Sequence, residues 1–379
     1  MPKPIPLIRA SIALHLAAFA KRAGAAPGSL WAAAALPGPA SGGPERLVPL
    51  HATMRLFESA ARALGHEDQG SRFARDAGLE VLGPFGRAML RAGTLHEAMQ
   101  VAVGEIDEHN SGARYWIVPD GAFVRFCRRI RVDDTGFRQA DLFTVSLMMQ
   151  LVQRVAGGEW RPDQVELQST GASLEAARRA LDLPARCRIA DGRSATSIRV
   201  PRVLLARHAR RDGPAVDHPP DGWAGSAPPE DFVGSVELVV ESMLTSSRGL
   251  LRATARAAGI DARTLQRHLR LAGCTFRDLQ ERVRSRKATA LLDDRHNRMV
   301  DVAHALGYSD PAHFSRAFRR WTSMTPLEYR RLRCDDILAP DTGETPPDVT
   351  ASAAPEAVGR AGGRRTGKTG ASEHHAAGG

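Results

Sequence analysis

The sequence is poor in cysteine, with four in 379 residues. Cys127, Cys187, Cys274 and Cys334 form no CxxC pair, and no cysteine–histidine cluster has the spacing of zinc ligands. This dispersal excludes the common structural zinc motifs and gives no sign of a disulfide framework. We therefore expect reduced thiols in a cytoplasmic protein, with no metal site and no cofactor.

Long apolar runs and catalytic motifs are missing as well. No stretch reaches the roughly 18 uninterrupted apolar residues of a membrane-spanning helix, so no membrane partner is expected. The apolar segment 8–20 is interrupted by Ser11 and His15 and is followed by Lys21 and Arg22, which favours an amphipathic helix over a signal peptide. No phosphate-binding glycine loop, nucleotide fingerprint or Ser-His-Asp arrangement is found, so the sequence does not predict an enzyme.

Positive charge, in contrast, is abundant and unevenly placed. The formal net charge is +10, and residues 232–334 hold 19 Arg and Lys against 10 Asp and Glu, a net charge of +9. Because neutralising phosphates releases counterions, a basic segment of this kind indicates a polyanion partner. A solvated, arginine-rich surface would give the same totals, so charge alone leaves both interpretations open.

The length predicts two domains plus connecting segments. Residues 7–211 mix helical and strand patterns and are predicted to form an α+β domain. Thr94 and Glu97 have the spacing of a capping box, and alternating polarity around Pro119-Asp120-Gly121 predicts a β-hairpin closed by that turn. The predicted helices span residues 49–64, 94–103, 137–155 and 174–181, and the predicted strands span residues 113–118, 122–130, 165–168 and 196–200.

The remainder of the chain divides into three segments. Residues 212–231 contain five prolines and little periodicity, so they are predicted to be an interdomain linker. Residues 232–334 have a strongly helical pattern and are predicted to form an all-α domain. Residues 335–379 are rich in proline, glycine, alanine and threonine and are predicted to be a disordered tail.

The all-α segment contains an imperfect internal repeat. The spacing between copies is 48 residues through the glycine and 49 residues after it. The repeat predicts two helix-turn-helix units, near residues 253–272 and 301–322. The first copy consists of Ala255, Gly259-Ile260-Asp261, Leu265, Arg267 and Leu269, and the second of Ala303, Gly307-Tyr308-Ser309, Phe314, Arg316 and Phe318.

Each element of the repeat has a physical reason. The alanine lets two helices cross closely, and Gly259 or Gly307 supplies the positive φ of the turn. Asp261 and Ser309 are predicted to cap the following helix. The apolar residues four apart form the inward face of that helix, so the residues between them point outward, towards a major groove.

The segment between the copies predicts a helix at residues 276–292, which is about 25 Å long at a rise of 1.5 Å per residue. Together with its flanking turns, this helix would hold two recognition helices about one DNA turn apart, roughly 34 Å. A single chain would then read two successive major grooves.

These residues resemble the AraC/XylS family of transcription regulators, and the resemblance covers residues 232–333. It departs from the family pattern at Thr254, where a larger apolar residue is usual, and at Ser323, where glycine is usual. The resemblance is carried by Arg263-Thr264-Leu265-Gln266-Arg267, Gly273-x-x-Phe276, Ala303-x-x-x-Gly307-Tyr308-Ser309, the run from Phe314 to Trp321, and Thr325-Pro326-x-x-Tyr329-Arg330.

The N-terminal part is similar to the arabinose-binding-type sensor domain found in part of that family. This similarity is carried by Gly83-Pro84-Phe85-Gly86, Thr94-Leu95-x-x-Ala98 and Trp160-Arg161-Pro162. It implies that this domain senses a small molecule, dimerises, or does both.

The resemblance also implies which residues contact DNA. Arginine pairs with guanine and glutamine with adenine in the major groove, whereas phosphate contacts position the protein without specifying sequence. The residues implied at base edges are Arg263, Gln266, Arg267, Ala312, Ser315 and Arg316, and those implied at phosphates are Arg270, Arg319 and Arg320.

No effector pocket is assigned by the sequence. Trp116, Phe126, Phe137 and Trp160 are predicted to be core residues, with a pocket lining as the alternative. The spacing of three nearby titratable residues matches no metal motif, and they are predicted to lie on the surface. These are His96, Glu105 and His109.

The sequence therefore predicts a sequence-specific transcription regulator controlled by a small-molecule effector. Its expected partners are double-stranded DNA and the effector, with RNA polymerase and a second copy of the chain as further candidates. A non-specific architectural DNA binder is one alternative. A DNA-repair enzyme that shares this DNA-binding domain is another, disfavoured because the cysteines are dispersed. The effector, the target promoters and the choice between activation and repression stay open.

Overall fold

The computed structural model describes residues 2–36, 38, 43–131, 137–171, 173–208, 227–244 and 249–338, with side chains to residue 333. Most of the predicted linker and nearly all of the predicted tail lie outside these residues. Within them, an N-terminal part combines helices and strands, and a C-terminal part is helical, as predicted. The described residues up to 333 form one compact unit, so the two parts share contacts.

Alternating polarity in residues 113–130 forms the hairpin of the main sheet. Strands β3 and β4 pair antiparallel, and the sheet continues in the order β3-β4-β7-β5-β6. The predicted turn is wrong in detail, because Pro119 and Asp120 pair with Val124 and Phe123, which leaves a two-residue turn that begins at Gly121 with a φ of +63°. The strands are β3 Ala113–Asp120, β4 Phe123–Ile130, β5 Gln164–Glu166, β6 Arg188–Ala190 and β7 Thr196–Pro201, and a separate pair joins β1 Leu7–Arg9 to β2 Leu47–Pro49.

Eight α-helices of the described residues belong to the N-terminal part. The helices predicted at residues 49–64, 94–103, 137–155 and 174–181 are present. The helices are α1 Ser11–Arg22, α2 Pro27–Ala34, α3 Leu50–Leu64, α4 Gln69–Ala77, α5 Pro84–Arg91, α6 Leu95–His109, α7 Arg138–Ala156 and α8 Leu174–Ala180, with 3₁₀ turns at Leu79–Leu82 and Arg202–Leu204.

Helices α6 and α7 show why these segments are helical. The predicted capping box starts α6, where the Glu97 N–H donates to Thr94 Oγ1 at 3.2 Å and the Glu97 carboxylate accepts from the Thr94 N–H. Helix α6 continues beyond the predicted end at residue 103 because Ile106 is still buried on its inner face. Helix α7 is buried along most of its length, against helix α4 and strand β7.

Among the described residues, seven helices form the C-terminal part. No helix in the described ranges is long and apolar enough to cross a bilayer. The helices are α9 Phe232–Ser242, α10 Leu250–Ala258, α11 Ala262–Leu271, α12 Phe276–Asp293, α13 Met299–Ala305, α14 Pro311–Thr322 and α15 Pro326–Leu338.

Contacts join the N-terminal and C-terminal parts. Helix α9 lies against strand β2, and helix α10 lies against helix α3. The Ile5 N–H donates a buried hydrogen bond of 2.9 Å to Ser235 Oγ, on α9. The first helices of the C-terminal part are therefore held directly by the N-terminal part.

Candidate nucleic-acid interface

Helices α10 and α11 form the first helix pair, at the first copy of the repeat. Gly259 ends α10 with a φ of +75°. Asp261 caps α11, as predicted, by accepting a 2.8 Å hydrogen bond from the Thr264 N–H. Hydrogen bonds from Thr264 lower the pKa of the Asp261 carboxyl, so it is charged at the positive end of the helix dipole.

Helices α13 and α14 form the second helix pair, at the second copy. Gly307 makes the turn with a φ of +79°. The predicted cap Ser309 is wrong by one residue, because Asp310 accepts the 2.8 Å hydrogen bond from the Ala312 N–H. Pro311 explains the shift, since its fixed φ and missing N–H suit the first position of a helix.

Burial of the second helix in each pair follows the predicted periodicity. Leu265 and Leu269 on α11 are fully buried, as are Phe314 and Phe318 on α14. These residues tie α11 and α14 into the core and leave their other faces outside. On those faces Arg263, Arg267, Arg270, Ala312, Arg316, Arg319 and Arg320 are exposed, and Gln266 and Ser315 are half-buried.

Ion pairs divide the arginines of this region into two groups. Arg282 and Arg286 bind Glu237 at 3.0 and 2.8 Å, and Arg320 binds Glu281 at 2.8 Å. These arginines hold α12 to α9 and to α14. No ion pair to a described residue is made by the second group, which comprises Arg263, Arg267, Arg270, Arg316 and Arg319.

The two groups differ in what they offer a polyanion. An arginine already paired with a carboxylate brings no net charge to the surface, whereas the second group brings five exposed cations on two helices. Arg320, which the resemblance implies at a phosphate, would have to exchange Glu281 for that phosphate.

Helix α12 separates the two pairs. Its 18 residues correspond to about 27 Å at 1.5 Å per residue. Leu279 and Val283 are fully buried along it. The predicted helix at residues 276–292 is therefore confirmed, with one more residue at its end.

Both departures from the family pattern occupy defined positions. Thr254 is fully buried on α10. Ser323 ends α14 with a φ of +64°, in the left-handed region that favours glycine. Ser323 therefore keeps the turn geometry at some cost in backbone strain.

A cavity of about 70 Å³ lies inside the N-terminal part. Helices α3, α5, α6 and α7 and strands β3 and β4 surround it. Phe126, a predicted core residue with a pocket lining as the alternative, lines this cavity. Phe137 is buried but does not line it. Trp116 and Trp160 are half-buried and do not line it.

The polar groups of the cavity were missed by sequence reasoning. Tyr115 and Arg128 are direct cross-strand partners on β3 and β4, so their side chains share one face of the hairpin. The Arg128 guanidinium donates to the Asp141 carboxylate at 3.4 Å, and the side chains are 7% and 3% exposed. Thr196 Oγ1 and the Ser169 N–H also donate to Asp141. The alternation of the hairpin could have placed Tyr115 and Arg128 on one face, but not Asp141 beside them.

His109 lines the same cavity and corrects the prediction that it lies on the surface. It is 2% exposed, and its ring stacks on Phe85 with the centroids 5.2 Å apart. Burial, and secondly the positive charge of Arg9, lower the pKa of His109 to about 3. Its imidazole is therefore neutral near pH 7.

We expect this histidine to make the fold sensitive to acid. An unfolded histidine titrates near pH 6.5, so between that pH and about 3 only the unfolded chain is protonated. The free energy of unfolding therefore falls as the pH falls, by about 2 to 3 kcal/mol between pH 6.5 and 4.5. Urea unfolding at a series of pH values measures this fall in the natural chain and in His109→Phe, which keeps the ring stack but has no group to protonate. An equal pH slope in both proteins would count against it.

The described cysteines offer little nucleophilic chemistry. Burial raises the pKa of Cys127 to about 11 and also raises the pKa of Cys187 and Cys274. A thiol of raised pKa is mostly protonated near pH 7 and reacts slowly. No group of three metal-binding side chains occurs within the described ranges.

Two family models match the chain. The model described as a helix-turn-helix domain matches residues 254–332. The model described as the N-terminal arabinose-binding domain of AraC transcription regulators matches residues 24–209. The first match runs from within α10 into α15, and the second contains all the residues that line the cavity except Ile8 and Ile12.

Curated relatives are transcription regulators. The HTH-type transcriptional regulator VirS of Mycobacterium tuberculosis is 25% identical over 284 residues, which is 73% of this chain and 82% of VirS. The HTH-type transcriptional regulator VqsM of Pseudomonas aeruginosa is 35% identical over 95 residues, 25% of this chain and 29% of VqsM. Among solved structures, the transcriptional regulator CdpR from Pseudomonas aeruginosa is 20% identical with a TM-score of 0.30, and the match covers 69% of this chain and 86% of that one.

Proposed function

Because the chain belongs to the AraC family of DNA-binding transcription regulators, we propose that it reads specific promoter sites through two helix-turn-helix units under the control of a small-molecule effector. The first and second helix pairs are these units, and α11 and α14 are their recognition helices. The N-terminal part holds the effector.

One observation carries the proposal. Arg267 and Arg316 occupy equivalent positions of the repeat, are exposed on α11 and α14, and make no ion pair with a described residue. Arg270 and Arg319 are equivalent in the same way. Repeated arginines at matched places on two anchored helices suit two similar contacts with DNA better than a general solvated surface.

The roles proposed for the outward residues are those that the resemblance to the family implies. Arg263, Gln266 and Arg267 of α11 would contact base edges, as would Ala312, Ser315 and Arg316 of α14. Arg270, Arg319 and Arg320 would contact phosphates and set the register on the duplex.

Helix α12 supports reading of two successive major grooves. At about 27 Å, with turns at both ends, it is long enough to hold recognition helices one DNA turn apart, roughly 34 Å. Its ion pairs from Arg282 and Arg286 to Glu237 fix it to α9. A single chain would thereby span a site of two half-motifs.

A non-specific architectural role is less well supported. Such a protein needs basic charge, but it needs neither two repeated recognition helices nor a second part with an internal cavity. A repair enzyme would need a reactive thiol, and the described cysteines have raised pKa values.

Selection of bound fragments from genomic DNA by the full chain, near physiological salt, tests the proposal. We expect enrichment of sites with two short half-motifs about one helical turn apart. Arg267→Ala should erase the sequence preference at one half-motif, and Arg316→Ala should erase it at the other. Recovery of all fragments equally by the three proteins would instead favour the architectural role.

A further inference from the structure

The chemistry of the cavity limits what can occupy it. Of the side chains around it, only Thr53, His109, Asn110, Tyr115, Arg128 and Thr144 carry a polar group, and the rest are aliphatic, aromatic or methionine. A sugar brings a hydroxyl on nearly every carbon, and each one left without a partner in such a site costs free energy. The lining therefore favours a largely apolar molecule.

Hydrogen-bond donors are concentrated at one place in this lining. Arg128 uses one bond on Asp141, and its other N–H groups have no acceptor among the described residues. Tyr115 is the cross-strand partner of Arg128, and its hydroxyl also has no hydrogen-bond partner among the described residues. Both groups donate, so they suit an oxygen that accepts. Because Asp141 already balances the charge of Arg128, an uncharged carbonyl oxygen suits the site better than a carboxylate.

The size of the cavity points to a compact molecule. A dry cavity of about 150 Å³ holds benzene, so about 70 Å³ holds only a few non-hydrogen atoms. Three methionines line the cavity, and their flexible, unbranched side chains allow it to enlarge. These are Met54, Met89 and Met148.

Helix α3 connects the cavity to the first helix pair. One face of α3 lines the cavity with residues spaced three and four apart. On the adjoining face, His51 lies against the turn between α10 and α11, so close that a β-carbon on Gly259 would come within 2.6 Å of its ring. The carbonyl of Ala33 accepts from Arg55 of α3 at 2.9 Å and from Arg256 of α10 at 3.3 Å. The lining residues of α3 are Leu50, Thr53, Met54 and Phe57.

We propose that the cavity is the effector site, that it takes a compact apolar molecule with one carbonyl oxygen bound by Tyr115 and Arg128, and that α3 transmits its occupancy to the first helix pair. The transmission to DNA rests on the proposed function, whereas the assignment of the cavity as a binding site does not. An occupant that enlarges the cavity moves α3, and α3 then moves the turn at Gly259.

Direct binding to the full chain, without DNA, tests the site. Ligand-observed NMR measures the binding of four probes, which are 2-butanone, 2-hexanone, hexanoate and L-arabinose. We expect both ketones to bind more tightly than hexanoate, and L-arabinose not to bind. Tighter binding of hexanoate, or binding of L-arabinose that competes with 2-hexanone, would overturn the ligand class.

Two variants locate the binding. Tyr115→Phe removes only a hydroxyl. It should weaken the binding of 2-hexanone about threefold to tenfold and leave unchanged the binding of hexane, a probe without a carbonyl. Ala102→Leu, on the cavity wall, should abolish the binding of both. Ala102→Leu can also unfold the protein. If Ala102→Leu is unstable, Tyr115→Phe alone decides whether the ligand binds in this cavity. Unchanged binding of 2-hexanone by Tyr115→Phe would refute it.

Linkage between ligand and DNA tests the transmission through α3. With a selected DNA site, 2-hexanone should change the DNA affinity at least fivefold, and the DNA should change the 2-hexanone affinity by the same factor. His51→Ala should abolish this coupling without changing 2-hexanone binding in the absence of DNA. Arg62→Ala, an exposed position farther along α3, is the matched control and should retain it.

The outcomes separate the two proposals. Specific DNA binding without ketone binding would refute the effector site alone. Ketone binding without specific DNA recognition would refute the proposed function alone. Coupling that survives in His51→Ala would refute transmission through this contact.

Discussion

Replacing Arg267 and Arg316 together by alanine is expected to weaken binding to a selected two-motif site by roughly thirtyfold to twenty-thousandfold. Each bidentate arginine–guanine pair contributes about 1 to 3 kcal/mol of discrimination, and the two residues lie on different helices, so their effects should add. Binding to random DNA should fall much less, because only two of the exposed cations are removed. Fluorescence anisotropy with both DNAs at one salt concentration measures the difference.

The matched control keeps the charge and removes the fork. Arg267→Lys with Arg316→Lys should bind random DNA like the natural protein, yet lose most of its preference for the selected site, since an ammonium cannot make the planar pair. The paired variants thereby separate base contacts from phosphate contacts. Equal losses on both DNAs in the alanine protein would assign these arginines to phosphates instead.

Gly307→Ala is expected to destabilise the fold by roughly 2 to 6 kcal/mol. A side chain at a φ of +79° costs about 1 to 3 kcal/mol. In addition, a β-carbon there would overlap the carbonyl oxygen of Leu244, two residues beyond the end of α9, so backbone would have to move. Strain from such overpacking adds about 1 to 3 kcal/mol.

Gly273→Ala is the matched control for this substitution. Gly273 has the same φ of +79°, but a β-carbon there would meet nothing within 4 Å. Urea unfolding should therefore show a smaller loss, of about 1 to 3 kcal/mol, from conformation alone. If the two variants lose equal stability, the close approach of the second turn to Leu244 is not what constrains position 307.

Local chemistry made much of the fold predictable. The capping box at Thr94 and Glu97 and the glycine turns at Gly259 and Gly307 depend on residues a few positions apart, and all are present. The one-residue error at Ser309 is also local, because Asp310 followed by Pro311 is the stronger start of a helix. The contacts of α11 and α14 with DNA stay a prediction.

Groups far apart in sequence were not predictable. The sequence did not reveal that Arg320, which the resemblance implies at a phosphate, is bound by Glu281, 39 residues earlier. His109 matched no motif and was placed on the surface, yet the packing of Phe85 and its neighbours buries it in a cavity. No periodicity of one segment reveals what another segment brings to it.

The sequence by itself determined the class of the protein, the two repeated helix pairs and which face of α11 and of α14 is apolar. These features follow from short-range hydrogen bonding, backbone conformation and helical period, which act within about ten residues. Only the tertiary structure decided which arginines are paired, where the cavity lies, and that α3 contacts both the cavity and the turn at Gly259. Such features depend on which distant side chains the core brings together, and burial then fixes their charge and contacts.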